Sequence, residues 1–239
     1  MLDVISLDIL ITVVVTAFIQ SFFGVGVLLF GTPILLLLDY SFSESLLVLL
    51  PISASINILQ IIKDYKYINK HIYKNILTIT VPFIVVFLFF VEDFNLNVSF
   101  FIGFILVFIA LKDKIGFFSR FLNQMMRFEK TYYVLMGIIH GMTNLGGALL
   151  ITKVFHSDLN KYEKRATTAV SYMTFALFQI ATLFLLNEKY EVYNFIYIVI
   201  GLSTYMIVNK LFFHNISNDK YDKLFLVFLL LSGVALVFK

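Results

Sequence analysis

The chain has 239 residues, 60% of them hydrophobic and 14% charged, with a net charge of +3 and no cysteine. Soluble domains carry about 25% charged residues, so an ordinary soluble domain is excluded; the missing cysteines exclude disulfides, cysteine-ligated metals and thiol catalysis. The net charge by itself says nothing about nucleic acid, which is not an expected partner; the composition points to an all-α polytopic membrane protein whose partner is the lipid bilayer.

Eight apolar segments follow one another: Ile9–Leu38, Ser45–Ile62, Ile76–Val91, Val98–Leu111, Thr131–Phe155, Ala166–Leu186, Val192–Val208 and Leu224–Phe238. No Lys or Arg precedes the first, so it lacks the basic start of a signal peptide and is expected to stay in the mature protein. That segment is too long for one span and too short for two. Gly24 and Gly26 break it into arms of ~12–14 residues, or ~18–21 Å as helix, against a ~30 Å hydrocarbon core. The fifth segment repeats the plan at Gly146 and Gly147. Gln20 stands four before Gly24, as His140 stands four before Asn144. Paired interruptions point to the binding site of a secondary transporter; glycine-mediated helix packing is the plainer account of the same residues.

Charge decides the topology. Basic clusters follow segments two (Lys63, Lys66, Lys70, Lys74), four (Lys112, Lys114, Arg120, Arg127, Lys130), five (Lys153, Lys161, Lys164, Arg165) and seven (Lys210, Lys220, Lys223). Eight plain crossings would put two of these clusters outside. If segments one and five are re-entrant hairpins, all four clusters are cytoplasmic, as the positive-inside rule asks. The outer connections are then acidic, with Asp39, Glu44, Glu92, Asp93, Glu188 and Glu191. Each half becomes a broken, re-entrant helical hairpin plus three transmembrane helices. The odd number of crossings makes the two halves inverted repeats, with hairpin tips meeting near the midplane. The expected divisions are a first membrane repeat over 1–111, a cytoplasmic amphipathic linker over 112–130 and a second membrane repeat over 131–239. In the linker, Phe117, Phe118, Phe121, Leu122 and Met125 share a helical face that suits either the leaflet surface or the protein itself.

The chemistry expected at the breaks is anion binding. Free amides and the positive helix end at the start of each returning arm favour a small anion. Gly24, Gly26, Gly146 and Gly147 would let it approach the backbone. Neutral donors surround the tips or lie in the following spans: Gln20, Asn57, His140, Thr143, Asn144 and Gln179 are the candidate substrate-binding residues. Each has a plainer role in hydrogen bonding between helices. His140 reads equally as a substrate ligand, a proton carrier or a structural imidazole. No catalytic residue, metal site or cofactor is expected: Ser21 with His140 is the one imaginable nucleophile pair, and no nucleophile-elbow motif supports it.

At these residues the chain resembles the sulfite exporter TauE/SafE family of membrane permeases. In each half that family carries a Gly-aliphatic-Gly-Gly-Gly break, then an apolar run and a proline. Gly24, Val25, Gly26 and Pro33 match in the first half, where Val27 and Leu28 replace glycines. Leu145, Gly146 and Gly147 match in the second, where Asn144 and Ala148 replace glycines and Lys153 stands at the proline position. The resemblance implies a transporter, not an enzyme, that moves a small sulfur-containing anion such as sulfite or an organosulfonate, often outward. A bacterial plasma (inner) membrane is the expected location. A membrane scaffold or assembly factor that transports nothing is the alternative; it leaves the two matched breaks without a purpose.

Overall fold

The computed structural model describes residues 6–23, 25–93, 107, 124–188, 194–212 and 227. Gly24, nearly all of segments four and eight, and most of the 112–130 linker lie outside the described residues. Among the described residues there is helix and no strand.

The helices are α1 (Leu7–Phe23), α2 (Val27–Leu37), α3 (Phe42–Asp64), α4 (Lys70–Asn75), α5 (Val81–Asp93), α6 (Glu129–Thr143), α7 (Gly146–His156), α8 (Lys161–Leu185) and α9 (Phe195–Phe212). A π-helical turn at Ile76–Thr80 joins α4 to α5, so Lys70–Asp93 runs as one apolar helix. That helix, α3 with the turn that extends it to Tyr67, and α8 are long and apolar enough to cross a membrane. The apolar helices α1, α2 and α9 are shorter. The breaks expected in segments one and five are present, between α1 and α2 and between α6 and α7.

Helices α3 and α8 form the centre and pack on each other along their length. Both start with the same device. Ser41 Oγ accepts from the Glu44 amide while Glu44 Oε2 accepts from the Ser41 amide at 2.8 Å; Asn160 and Glu163 repeat the exchange at 3.1 and 2.9 Å. Such reciprocal capping satisfies amides that the first turn otherwise leaves free. Gln60 follows Ser41 by as many residues as Gln179 follows Asn160. Helix α1 packs on α9, and α6 packs on α5, while α9 also touches α3 and α5 also touches α8. The α6–α5 contact is close because Gly137 and Gly141 carry no Cβ; one on Gly137 would lie 2.5 Å from the Thr80 carbonyl, and one on Gly141 2.6 Å from that of Ile84. Small residues one turn apart let membrane helices approach in this way.

Polar contacts tie each broken helix at its base. Ser6, just before α1, meets Tyr40, just after α2, hydroxyl to hydroxyl at 2.8 Å, and its amide donates to the Tyr197 hydroxyl at 2.9 Å. Ser43 donates to the Glu92 carboxylate at the same end of the molecule. For the second broken helix, Glu129 at the start of α6 pairs with Lys153 in the last turn of α7 at 3.1 Å. His71 Nδ1 lies 4.0 Å from Glu129. Asp64 and Arg165, both buried, pair where α3 ends and α8 begins, and Arg165 Nη1 also donates to Asn209 Oδ1 at 3.1 Å. The Asn69 amide donates to Thr167 Oγ1 at 2.9 Å, and Tyr67 stacks on Tyr162 with ring centres 5.5 Å apart. The starts of α4 and α6 and the end of α7 are thus linked, as are the end of α3, the start of α8 and the end of α9.

The interior is apolar and so is much of the outside. Ile11, Val15 and Phe18 of α1, Val86, Phe89 and Phe90 of α5, and Leu177, Phe184 and Leu185 of α8 are exposed. Polar side chains such as Gln20, Asn57, Gln60, His140, Asn144 and Gln179 are buried. An apolar exterior over a core that also buries polar side chains is the distribution expected when the solvent is lipid.

Candidate functional site

The two breaks lie in buried positions and differ in how their polar groups are used. In the first, the glutamine at the end of α1 turns back onto the start of α2. Gln20 Oε1 accepts from the Val27 amide, the first of α2, at 2.9 Å, and Gln20 Nε2 donates to Asn57 Oδ1 at 3.0 Å. Asn57 Nδ2 donates in turn to Ser53 Oγ at 3.3 Å. Both polar ends of Gln20 and of Asn57 are thus engaged. Gln60 Nε2 reaches the Gln20 carbonyl at 3.4 Å and its Oε1 has no partner. A Cβ on Gly26 would lie 2.5 Å from the Gln20 amide nitrogen and 2.6 Å from the Thr16 carbonyl. Its own hairpin arm fills the space at that glycine.

The second break turns at Asn144, whose backbone is left-handed with φ 60° and ψ 10°. Asparagine tolerates this region better than most residues. Its amide closes α6 on the His140 carbonyl at 2.8 Å, and its Nδ2 reaches across to Thr32 Oγ1 of α2 at 2.8 Å, a direct bond between the two broken helices. Thr143 Oγ1 donates to the Ile139 carbonyl at 2.6 Å and accepts from the Leu145 amide at 3.3 Å. Gly146 meets the preceding arm as Gly26 does: a Cβ would strike the Met136 carbonyl and lie 2.5 Å from His140 Cβ.

Here the resemblance between the breaks stops. His140 occupies the position of Gln20, but its Nε2 faces Gln179 Oε1 of α8 at 3.2 Å. His140 Nδ1, Gln179 Nε2, Asn144 Oδ1 and the Tyr172 hydroxyl are all buried without a hydrogen-bond partner. The Tyr172 hydroxyl occupies the space that a Cβ on Gly147 would take, so it lies against the first turn of α7. The rings of His140 and Tyr172 meet edge to face at 6.1 Å, and His140 also lies 4.5 Å from Phe175, centre to centre. The structure thus brings His140, Gln179, Thr143, Asn144, Gly146 and Gly147 together around the second break, and Gln20, Gly26 and Asn57 around the first. Gly24 lies outside the described residues.

Tyr172 is the residue that sequence reasoning missed. Its signal was faint: by the spacing from the capping boxes it matches Ser53, the last member of the Gln20–Asn57 chain. Arg165, read from the sequence as part of a cytoplasmic basic cluster, is buried against Asp64. Among the described residues, no group of three His, Cys, Asp or Glu is placed to hold a metal ion.

Comparison with known proteins agrees with this architecture. The model of the family described as sulfite exporter TauE/SafE matches residues 9–236, nearly the whole chain. No curated protein and no solved structure matches significantly. With both helix breaks inside the matched region and apolar helices long enough to cross a bilayer, the chain belongs to the sulfite exporter TauE/SafE family of membrane transporters.

Proposed function

We propose that the protein is a permease that carries a small sulfur-containing oxyanion, such as sulfite or an organosulfonate, outward across a bacterial inner membrane. The supporting observation is the set of unpaired buried groups at the second break, His140 Nδ1, Gln179 Nε2 and the Tyr172 hydroxyl, gathered at the start of α7. A buried polar group without a partner costs about 1–3 kcal/mol. A bound anion would meet several of them at once, together with the helix's positive end. In this reading Gly147, His140, Tyr172 and Gln179 form the site, Thr143 and Gly146 shape the break, and Gln20, Gly26 and Asn57 hold the first break closed. Asn144 ties the two tips.

The transport cycle needs two halves that move against each other. We take 1–111 and 131–239 as inverted repeats joined by the 112–130 linker, with α1–α2 and α6–α7 as re-entrant hairpins. The ties at their bases and the packing of α6 on α5 and of α1 on α9 support this. An inside-negative potential drives a monoanion outward at ~2.3 kcal/mol per 100 mV, so export needs no coupling ion.

A scaffold without transport is the second reading, favoured by the closed first break and the Asn144–Thr32 bond between the tips. Purified protein in liposomes decides between them. Radiolabelled sulfite should leave faster than from protein-free liposomes and speed up when the potential is set to expel anions. No flux of sulfite, sulfonate, sulfate or carboxylate would leave the scaffold.

A further inference from the structure

The pairing of His140 with Gln179 bears on what the ligand must carry. Both side chains are fully buried, with Nε2 and Oε1 3.2 Å apart. An uncharged imidazole has one N–H and one bare nitrogen, and an amide has one acceptor oxygen and one donor NH2. When Nε2 donates to Oε1, the groups left over are a bare ring nitrogen and an amide NH2. When the amide is turned over, its NH2 meets a bare Nε2, and the groups left over are a ring N–H and an amide oxygen. In either orientation the pair offers one free donor and one free acceptor. The Tyr172 hydroxyl, also unpaired, serves in both senses.

An oxyanion with acceptors alone satisfies the donors and turns its lone pairs toward a buried acceptor. From these complementary free groups we infer that the second break selects a small oxyanion that bears its own O–H or N–H donor over one that has acceptors only. This rests on the second break being the anion site. A hydroxyl that pairs with an otherwise unpaired buried acceptor is worth about tenfold or more in discrimination.

The test uses two monoanions of nearly equal shape, 2-hydroxyethanesulfonate and propanesulfonate, which differ by a hydroxyl in place of a methyl. Each is offered to proteoliposomes of the full chain as a competitor of labelled sulfite. The hydroxylated ion should compete at about tenfold lower concentration or better. Combining His140→Phe with Gln179→Met removes both members of the pair and should bring the two concentrations together. Equal competition in the parent protein would overturn the inference and leave the permease reading standing, with water serving the free pair. Absence of any sulfite flux would overturn the permease reading and this inference with it. The parent's ratio decides by itself where the variant does not fold.

Discussion

The two breaks share their backbone plan and differ in what closes them. At the first, one glutamine caps the returning helix and joins a chain of side-chain bonds, so that Val27, Gln20, Asn57 and Ser53 satisfy one another. At the second, a histidine in the same position bonds to the neighbouring helix instead, and four buried polar atoms on His140, Asn144, Tyr172 and Gln179 are left over. The first break uses both polar ends of its glutamine and leaves Gln60 Oε1 over, whereas the second leaves one polar atom unpaired on each of four side chains. A ligand site needs groups that folding itself does not use, which is why the proposed site is placed at the second break.

What the breaks share should be what neither tolerates losing. The space at Gly26 and Gly146 is filled by the backbone of the preceding arm, at Gln20 and Thr16 in one case and Met136 in the other. Gly26→Val and Gly146→Val should each push the arms apart. Overpacking costs about 1–3 kcal/mol where side chains can give way, and backbone gives less, so both variants should show the largest loss of folded protein, read as the yield of monodisperse protein in detergent and its Tm. A variant that folds normally and only stops transporting would place that glycine against the ligand.

Much of the plan was legible in the sequence because it is written in local signals. Hydropathy marked the apolar helices among the described residues, and the glycines marked the ends of α1 at Phe23 and α6 at Thr143. The spacing of Gln20 and His140 from the breaks gave their equivalence. What the sequence hid depends on packing across the chain. Nothing local says that Tyr172 lies against Gly147, that the glutamine faces its own hairpin while the histidine faces α8, or that Lys153 pairs with Glu129. The third apolar segment, expected from Ile76, begins six residues earlier at Lys70, because Asn69 Oδ1 accepts from the Ile72 amide and caps a polar first turn that hydropathy overlooks.

Exchanging the differing residues should sharpen the comparison. Gln20→His takes the cap from Val27 and the donor from Asn57 Oδ1, and should cost about 1–3 kcal/mol for the buried groups left unpaired. His140→Gln should act in the opposite sense. A glutamine there is placed to cap Gly147 as Gln20 caps Val27, which finishes the second break. Stability should be unchanged or higher, while sulfite flux falls about tenfold or more because the amide is occupied. Chemical denaturation of the purified variants and flux in liposomes read the two effects separately. Undiminished flux in His140→Gln would remove His140 and the start of α7 from the mechanism.

The smallest effect is expected at the tie between the tips. Asn144 reaches Thr32, whereas the residue at the matching place in the first break, Gly24, has no side chain with which to reach back. The contact between the broken helices is therefore one-sided, and Asn144→Gly makes the breaks alike. Glycine adopts the left-handed backbone at this position without strain, so the change isolates the side chain. Loss of one buried hydrogen bond costs about 1 kcal/mol, and removal of the unpaired Oδ1 offsets part of that. The variant should lose at most about 1 kcal/mol of stability. If the bond holds the tips together between transport events, sulfite flux should rise, by no more than about fivefold, which is what 1 kcal/mol represents. A tenfold fall in flux at unchanged stability would instead make Asn144 a ligand, and the second break would then bind its anion at the tip itself rather than along the first turn of α7.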